Sequence, residues 1–143
     1  MTEDREPLPF EEAVLQTMQA IVARLPAGSA SIEFAVRNSA ESFVTVSPSR
    51  FGAAPIHLHV DAGRIVDFSF ADYGAFEMDG EGVLNDLRRL SEAVVQGRCG
   101  VTLGWIAQSS WMVPEEGGPS VGCRMFFYPR WWRKKIAYLP YRS

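Results

Sequence analysis

The sequence contains only two cysteines and two histidines, which narrows the chemistry available to it. Two cysteines in 143 residues are too few for a disulfide-stabilised scaffold, and we expect Cys99 and Cys123 to be thiols that act as small apolar side chains. The sequence also lacks a Walker motif, a dinucleotide-binding pattern and a calcium loop. We therefore expect no cofactor.

Long apolar runs and a targeting signal are absent as well. The longest uncharged stretch, residues 99–114, includes several polar residues and falls short of the ~18 apolar residues that suggest a transmembrane helix. The first seven residues are acidic and lack the basic start and apolar run of a secretory signal. The sequence therefore predicts a cytoplasmic protein without a transmembrane segment.

Charge is distributed unevenly along the chain, whose formal net charge is −3. Residues 117–143 hold six of the 14 basic residues and none of the 17 acidic ones, so this end carries +6 and the remainder carries −9. The six basic residues are Arg124, Arg130, Arg133, Lys134, Lys135 and Arg142. Such polarity is typical of an interaction surface, or of two oppositely charged segments that pack against each other.

The first half of the chain changes from a helical to a strand-like pattern. An acidic tail over residues 1–9, which we expect to be disordered, precedes an apolar stripe that predicts a helix over residues 10–25. Four segments then alternate apolar and polar residues, which predicts four strands at 32–36, 44–46, 56–60 and 66–70. The acidic residues between 72 and 86 are interpreted as a solvated loop.

The second half predicts one helix and two further strands. Apolar residues from Val83 to Val94 have helical spacing, with Asp79 as the expected N-cap and Gly97 just beyond the end. A long half-buried strand follows from Cys99 to Trp111, in which Ile106 breaks the alternation, and a sixth strand runs over 121–127. A turn centred near residue 116 would place Cys123 opposite Ser109, which disfavours a bridge to Cys99.

These elements predict a single α+β domain over residues 10–143. Their order is α-β-β-β-β-α-β-β, followed by an irregular end. Strands in runs, separated by helices, are typical of an antiparallel sheet whose apolar face is covered by helices. We therefore expect one sheet of about six strands with both helices on one face.

A candidate metal site occurs in the third predicted strand. His57, His59 and Asp61 occupy alternate positions and so share one face, and imidazole with carboxylate suits a zinc-like ion. The segment resembles the start of the His-x-His-x-Asp-His signature of metallo-β-lactamase-type hydrolases, but Ala62 stands where that signature has its last histidine. The alternative interpretation is that the two histidines lie on the polar face of a half-buried strand.

A candidate partner-binding segment lies near the C-terminal end, where aromatic and basic residues are interleaved. Such a segment can pack into the core, bind a protein partner, or bind single-stranded nucleic acid or a membrane surface. The net negative charge disfavours nucleic acid. The residues predicted to bind a partner are Arg124, Phe126, Tyr128, Trp131, Trp132, Arg133, Lys134 and Lys135.

The sequence favours a non-enzymatic domain that binds a protein partner or forms a homodimer. Neutralisation of a partner, as immunity-type proteins do, fits its size and charge by analogy. The alternative is a small hydrolase or metal-binding enzyme that uses His57, His59 and Asp61. The two hypotheses differ in shape, because a binding surface is flat or convex and an enzyme gathers its reactive groups in a deep concavity.

Overall fold

The computed structural model describes residues 5–71, 73–103, 107–115, 117–126 and 134–142. Within these ranges the chain forms two helices and nine strands. In chain order they are α1 (Pro9–Ala23), β1 (Ala30–Val36), β2 (Glu41–Pro48), β3 (Ile56–Asp61), β4 (Ile65–Phe70), β5 (Tyr73–Asp79), α2 (Val83–Val95), β6 (Cys99–Leu103), β7 (Ala107–Met112), β8 (Val121–Phe126) and β9 (Lys134–Ala137).

The first five strands form an antiparallel sheet in chain order, β1-β2-β3-β4-β5. This confirms the four strands predicted from alternation. The fifth strand corrects the prediction of an acidic loop. Glu77 and Asp79 are exposed while Met78 between them is buried, which is the pattern of a half-buried strand. Asp72 lies outside the described residues.

Each helix begins and ends with a recognisable signal. α1 starts at Pro9, and the Glu11 carboxylate accepts the Leu8 N–H at 2.8 Å. α2 begins after Gly82, which has a φ of +84°, so Asp79 is the end of β5 and the predicted N-cap was wrong. Gly97 follows α2 with a φ of +76°, as predicted for a left-handed helix end.

Both helices pack on the same face of the five-stranded sheet. Val14 and Met18 of α1 and Leu87 of α2 are fully buried in one cluster with the apolar side chains of β2, β3 and β4. Full burial of a side chain of this size stabilises the fold by about 1.5–3 kcal/mol. Neither helix of the described chain is long and apolar enough to cross a bilayer.

A second antiparallel sheet has the order β8-β7-β6-β9, so the prediction of one six-stranded sheet was wrong. The predicted long strand is two paired strands, with Cys99 opposite Met112. The described side chains that are buried in β6, those of Cys99 and Val101, are odd-numbered, whereas those buried in β7, of Ser110 and Met112, are even-numbered. A continuous strand cannot change its buried face, and the change falls where Ile106 breaks the alternation.

The strands β7 and β8 pair one position away from the predicted register, because Cys123 lies opposite Ser110 instead of Ser109. Cys99 is a free, buried thiol, as predicted. The side chain of Cys123 lies outside the described residues.

The last described residues, predicted as an irregular end, form β9 and then pack into the core. Tyr141 is buried; its hydroxyl donates to the Ala54 carbonyl at 2.6 Å and its N–H donates to the Val95 carbonyl at 2.8 Å. A Cβ atom at Gly97 would lie 2.6 Å from the nitrogen of Pro140, so this close approach needs glycine. We call residues 138–142 the C-terminal latch.

Candidate functional site

The face of the five-stranded sheet opposite the helices carries the most distinctive set of polar side chains. Strand pairing places Phe43, His59, Asp67 and Glu77 in one row across β2, β3, β4 and β5. Every side chain on this face whose burial is described is exposed or half-buried. We call this surface the open face.

The open face is strongly acidic. The five strands contain six acidic residues and no lysine or arginine. Strand pairing places all six on the open face: Glu33, Glu41, Asp61, Asp67, Glu77 and Asp79.

Several of these acids face each other directly across neighbouring strands. Glu41 is opposite Asp61, and Asp67 is opposite Glu77. Like charges at directly opposed positions destabilise a sheet. The fold tolerates this cost on the open face, as is typical of residues that serve a site instead of stability.

His59 lies at the centre of the open face between two carboxylates. Its Nε2 is 3.1 Å from Oε1 of Glu41, and its Nδ1 is 3.3 Å from Oδ2 of Asp67. The contact of Nδ1 with Asp67 has hydrogen-bond geometry, whereas Nε2 makes no hydrogen bond within the described part of the chain. The Phe43 ring lies 5.2 Å from the His59 ring between centroids and is 39% exposed.

A shallow depression of about 300 Å³ surrounds this histidine. Phe43, Thr45, His57, Asp67 and Ser69 form its walls together with His59. The depression combines an exposed aromatic ring with carboxylate and hydroxyl oxygens. Such a combination suits a cationic side chain, which gains charge pairing from the carboxylates and cation–π attraction from the ring.

The predicted trio of His57, His59 and Asp61 does share the open face. No group of three or more His, Cys, Asp or Glu side chains that could hold a metal ion occurs among the residues that the structure describes. Asp61 instead accepts the Gly63 N–H at 2.7 Å in the β3–β4 turn. The metal site stays a prediction and carries no proposal.

The predicted partner-binding residues fall largely outside what the structure describes. Tyr128, Trp131, Trp132 and Arg133 lie in the segment 127–133, which is not described. The backbones of Arg124 and Phe126 belong to β8 and that of Lys134 to β9, but their side chains are not described. Lys135 is exposed and places its Nζ 5.5 Å from the centroid of the Trp111 ring.

A buried ion pair, which sequence reasoning did not identify, lies on the helix side of the sheet. The side chain of Glu11 is fully buried, and Arg5 donates to both of its carboxylate oxygens at 2.7 and 3.0 Å. Arg5 also donates to the Asn38 carbonyl at 3.0 Å, which ties the start of the chain to the β1–β2 turn. We call Glu11 and Arg5, with the groups that they contact, the buried cluster.

The buried cluster holds its carboxylate in the ionised form. Burial opposes ionisation of Glu11, but the hydrogen bonds and positive charge of Arg5, together with the hydrogen bond from the Leu8 amide, outweigh it. The pKa of Glu11 is lowered to about 2. A group that stays ionised and fully buried is suited to stabilising the fold instead of transferring protons.

The Cys99 thiol is equally unsuited to catalysis. Burial raises its pKa to about 12, so the thiol is protonated at neutral pH, and the thiolate is the reactive species.

The comparisons with known proteins add no relative. No protein-family model, no curated protein and no solved structure matches the chain.

Proposed function

We propose that this protein is a non-enzymatic protein-binding domain that uses its open face to bind a partner with a basic surface. The observation that carries the proposal is the placement of all six acids of the first sheet on one face, without a lysine or arginine in any of its strands. A basic partner would relieve the repulsion between opposed carboxylates and would be attracted from a distance.

The centre of the open face has the composition of a binding hot spot. Phe43 offers an exposed aromatic ring, and Asp67 offers a carboxylate beside it. Arginine is enriched at protein interfaces because its guanidinium pairs with carboxylates and stacks on rings. We expect the partner to place an arginine in the depression around His59.

The most unusual titratable groups of the described chain favour binding over catalysis. Glu11, Cys99 and Tyr141 have strongly shifted pKa values, but all three side chains are buried and none lines the depression. The depression itself is shallow, whereas an active site gathers its reactive groups in a deep pocket. The hydrolase alternative stays a prediction that no described contact favours.

Calorimetric titration with an oligo-arginine peptide, and with an oligo-glutamate peptide as the probe of opposite charge, tests the proposal. We expect only oligo-arginine to bind, with an affinity that falls as salt is added. The double substitution Asp67→Asn with Glu77→Gln should weaken this binding about tenfold, which corresponds to about 1.4 kcal/mol. Glu12→Gln with Asp86→Asn, on α1 and α2, is the matched control, because it removes two charges from the helix side.

Two outcomes would contradict the proposal. One is the absence of oligo-arginine binding at low salt, and the other is an equal loss of affinity in the open-face double variant and in the control double variant Glu12→Gln with Asp86→Asn. Light scattering on the free protein addresses self-association. A homodimer that dissociates in salt and in the double variant would identify the +6 end of a second copy as the basic partner.

A further inference from the structure

The first strand of the five-stranded sheet has one unpaired edge. β1 pairs with β2 on one side, and no other described strand pairs with it. It runs seven residues in continuous register and contains neither proline nor lysine, with Glu33 as its single charge. Edge strands are normally shortened, bulged or charged to prevent pairing with other chains, and β1 has little of this protection.

Of the three other edge strands of the described chain, β5 and β9 are better protected, and β8 lies beside β5. The pairing of β4 with β5 contains an irregularity between Phe68 and Phe70. β9 is four residues long and begins with Lys134 and Lys135. β1 is therefore the longest edge strand of the described chain that keeps a continuous register with its neighbour, and a new strand could add along its full length.

Two backbone hydrogen bonds fix which amides of β1 face this edge. The Ser49 N–H donates to the Ser29 carbonyl and the Arg37 N–H donates to the Glu41 carbonyl, both at 2.9 Å. Both pairs continue the register of β1 with β2, and hydrogen-bonded pairs alternate along an antiparallel ladder. The odd-numbered residues of β1 therefore direct their N–H and C=O groups at β2.

The even-numbered residues, Ile32 and Phe34 in the centre of the strand, direct their N–H and C=O groups at the unpaired edge. Their side chains point to the helix side and are only half-buried, whereas Val44 and Val46 opposite them on β2 are fully buried. A further strand would supply hydrogen-bond partners for these amides and cover these two side chains. On the opposite face it would meet the exposed Glu33.

We propose that β1 receives an extended segment of the basic partner as an additional antiparallel strand. Its apolar residues would lie beside Ile32 and Phe34, and its alternating basic residues would lie on the open face beside Glu33. Antiparallel addition agrees with all the strand pairs of the described chain. This inference rests on the proposed function and adds the conformation and residue pattern of the ligand.

A peptide of alternating arginine and valine tests this arrangement. A valine opposite Ile32 or Phe34 shares their face and would direct its own N–H at β1, whereas the arginine N–H groups would point away. N-methylation of the valines should therefore weaken binding by about tenfold or more, while N-methylation of the arginines should leave it unchanged. Both modified peptides keep the charge of the parent.

Hydrogen exchange gives an independent readout from the protein side. On binding of the unmodified peptide, the amides of Ile32 and Phe34 should become protected, whereas the amide of Glu33, which already faces β2, should not change. Glu33→Lys should weaken the binding of this peptide, and Glu12→Lys on α1 is the matched control. Strand addition at β1 predicts protection of the Ile32 and Phe34 amides but not of the Glu33 amide. Charge attraction alone predicts no such difference.

The outcomes separate this inference from the proposed function. If oligo-arginine binds but the two N-methylated peptides bind equally well, or the amide of Ile32 stays unprotected, strand addition at β1 is overturned while the acidic open face stands. If neither oligo-arginine nor the alternating peptide binds, both proposals fail. Loss of binding on N-methylation of the arginines alone would also overturn the antiparallel arrangement.

Discussion

Two clusters of charged side chains lie on opposite faces of the five-stranded sheet and differ in their surroundings. In the buried cluster, the carboxylate of Glu11 is enclosed and receives two hydrogen bonds from Arg5. On the open face, Glu41 and Asp67 flank His59 in a shallow depression. The clusters meet at Glu41, whose backbone carbonyl lies 3.5 Å from Arg5 and whose carboxylate lies beside His59.

Carboxylate side chains therefore have two different roles in this protein. A buried carboxylate stabilises the fold through its ion pair, whereas an exposed carboxylate can contact a partner. A buried charge is costly unless it is paired, so the pair of Glu11 with Arg5 must be complete for the fold to be stable. Exposed charges interact weakly with each other because water screens them. The exposed carboxylates of the open face, those of Glu33, Glu77 and Asp79, can therefore change with little effect on stability, and they are available to a partner.

The largest loss of stability is expected when the buried carboxylate of Glu11 is removed. We expect Glu11→Ala to destabilise the protein by about 3–5 kcal/mol, because it leaves Arg5 without its partner and removes a helix cap. Urea unfolding followed by circular dichroism measures the change. Glu12→Ala, one position along the same helix, should cost less than about 1 kcal/mol. A similar loss in both variants would refute the distinction.

The contribution of the buried cluster to stability should also be measurable without a substitution, as a loss of stability at low pH. The pKa of Glu11 is about 2 in the folded protein against 4.5 for an ordinary glutamate. The stabilisation is therefore complete above pH 4.5 and is lost as the pH falls towards 2, by about 3 kcal/mol in total. Urea midpoints measured across this range should fall steeply for the natural sequence and less for Glu11→Gln. Parallel curves would show that other groups dominate acid unfolding.

The smallest expected effect on stability belongs to the open face. Glu77→Gln removes one of two opposed carboxylates, so we expect a change in unfolding free energy of less than about 0.5 kcal/mol, in the stabilising direction. The same substitution should weaken oligo-arginine binding. A loss of stability above 1 kcal/mol would show that these acids hold the sheet together, and the contrast between the two faces would disappear.

Local patterns in the sequence account for much of the first sheet but little of the second. The alternation of apolar and polar residues is sufficient to predict β1 to β4, because each of these strands buries one face. In β5 the acids Glu77 and Asp79 flank Met78, and so short an alternation does not distinguish a half-buried strand from an acidic loop. The second sheet depends on a change of buried face near Ile106 and on the late strand β9, whose partner β6 is distant in the sequence.

The candidate site was predicted only in part for a similar reason. The two histidines could be placed on one face from their spacing alone. Glu41 and Asp67 belong to other strands, and only the register between strands brings them to His59. Arg5 lies in the segment expected to be a disordered tail, and its contact with Glu11 has no spacing rule that would reveal it.

The C-terminal latch has a consequence for the order in which the chain folds. The hydroxyl of Tyr141 reaches the carbonyl of Ala54 across 87 residues of sequence. Closing so long a loop costs conformational entropy before the contact stabilises anything, so contacts between neighbouring strands are expected to form first. The latch would then be among the last contacts made, and its main kinetic role would be to slow unfolding instead of to speed folding.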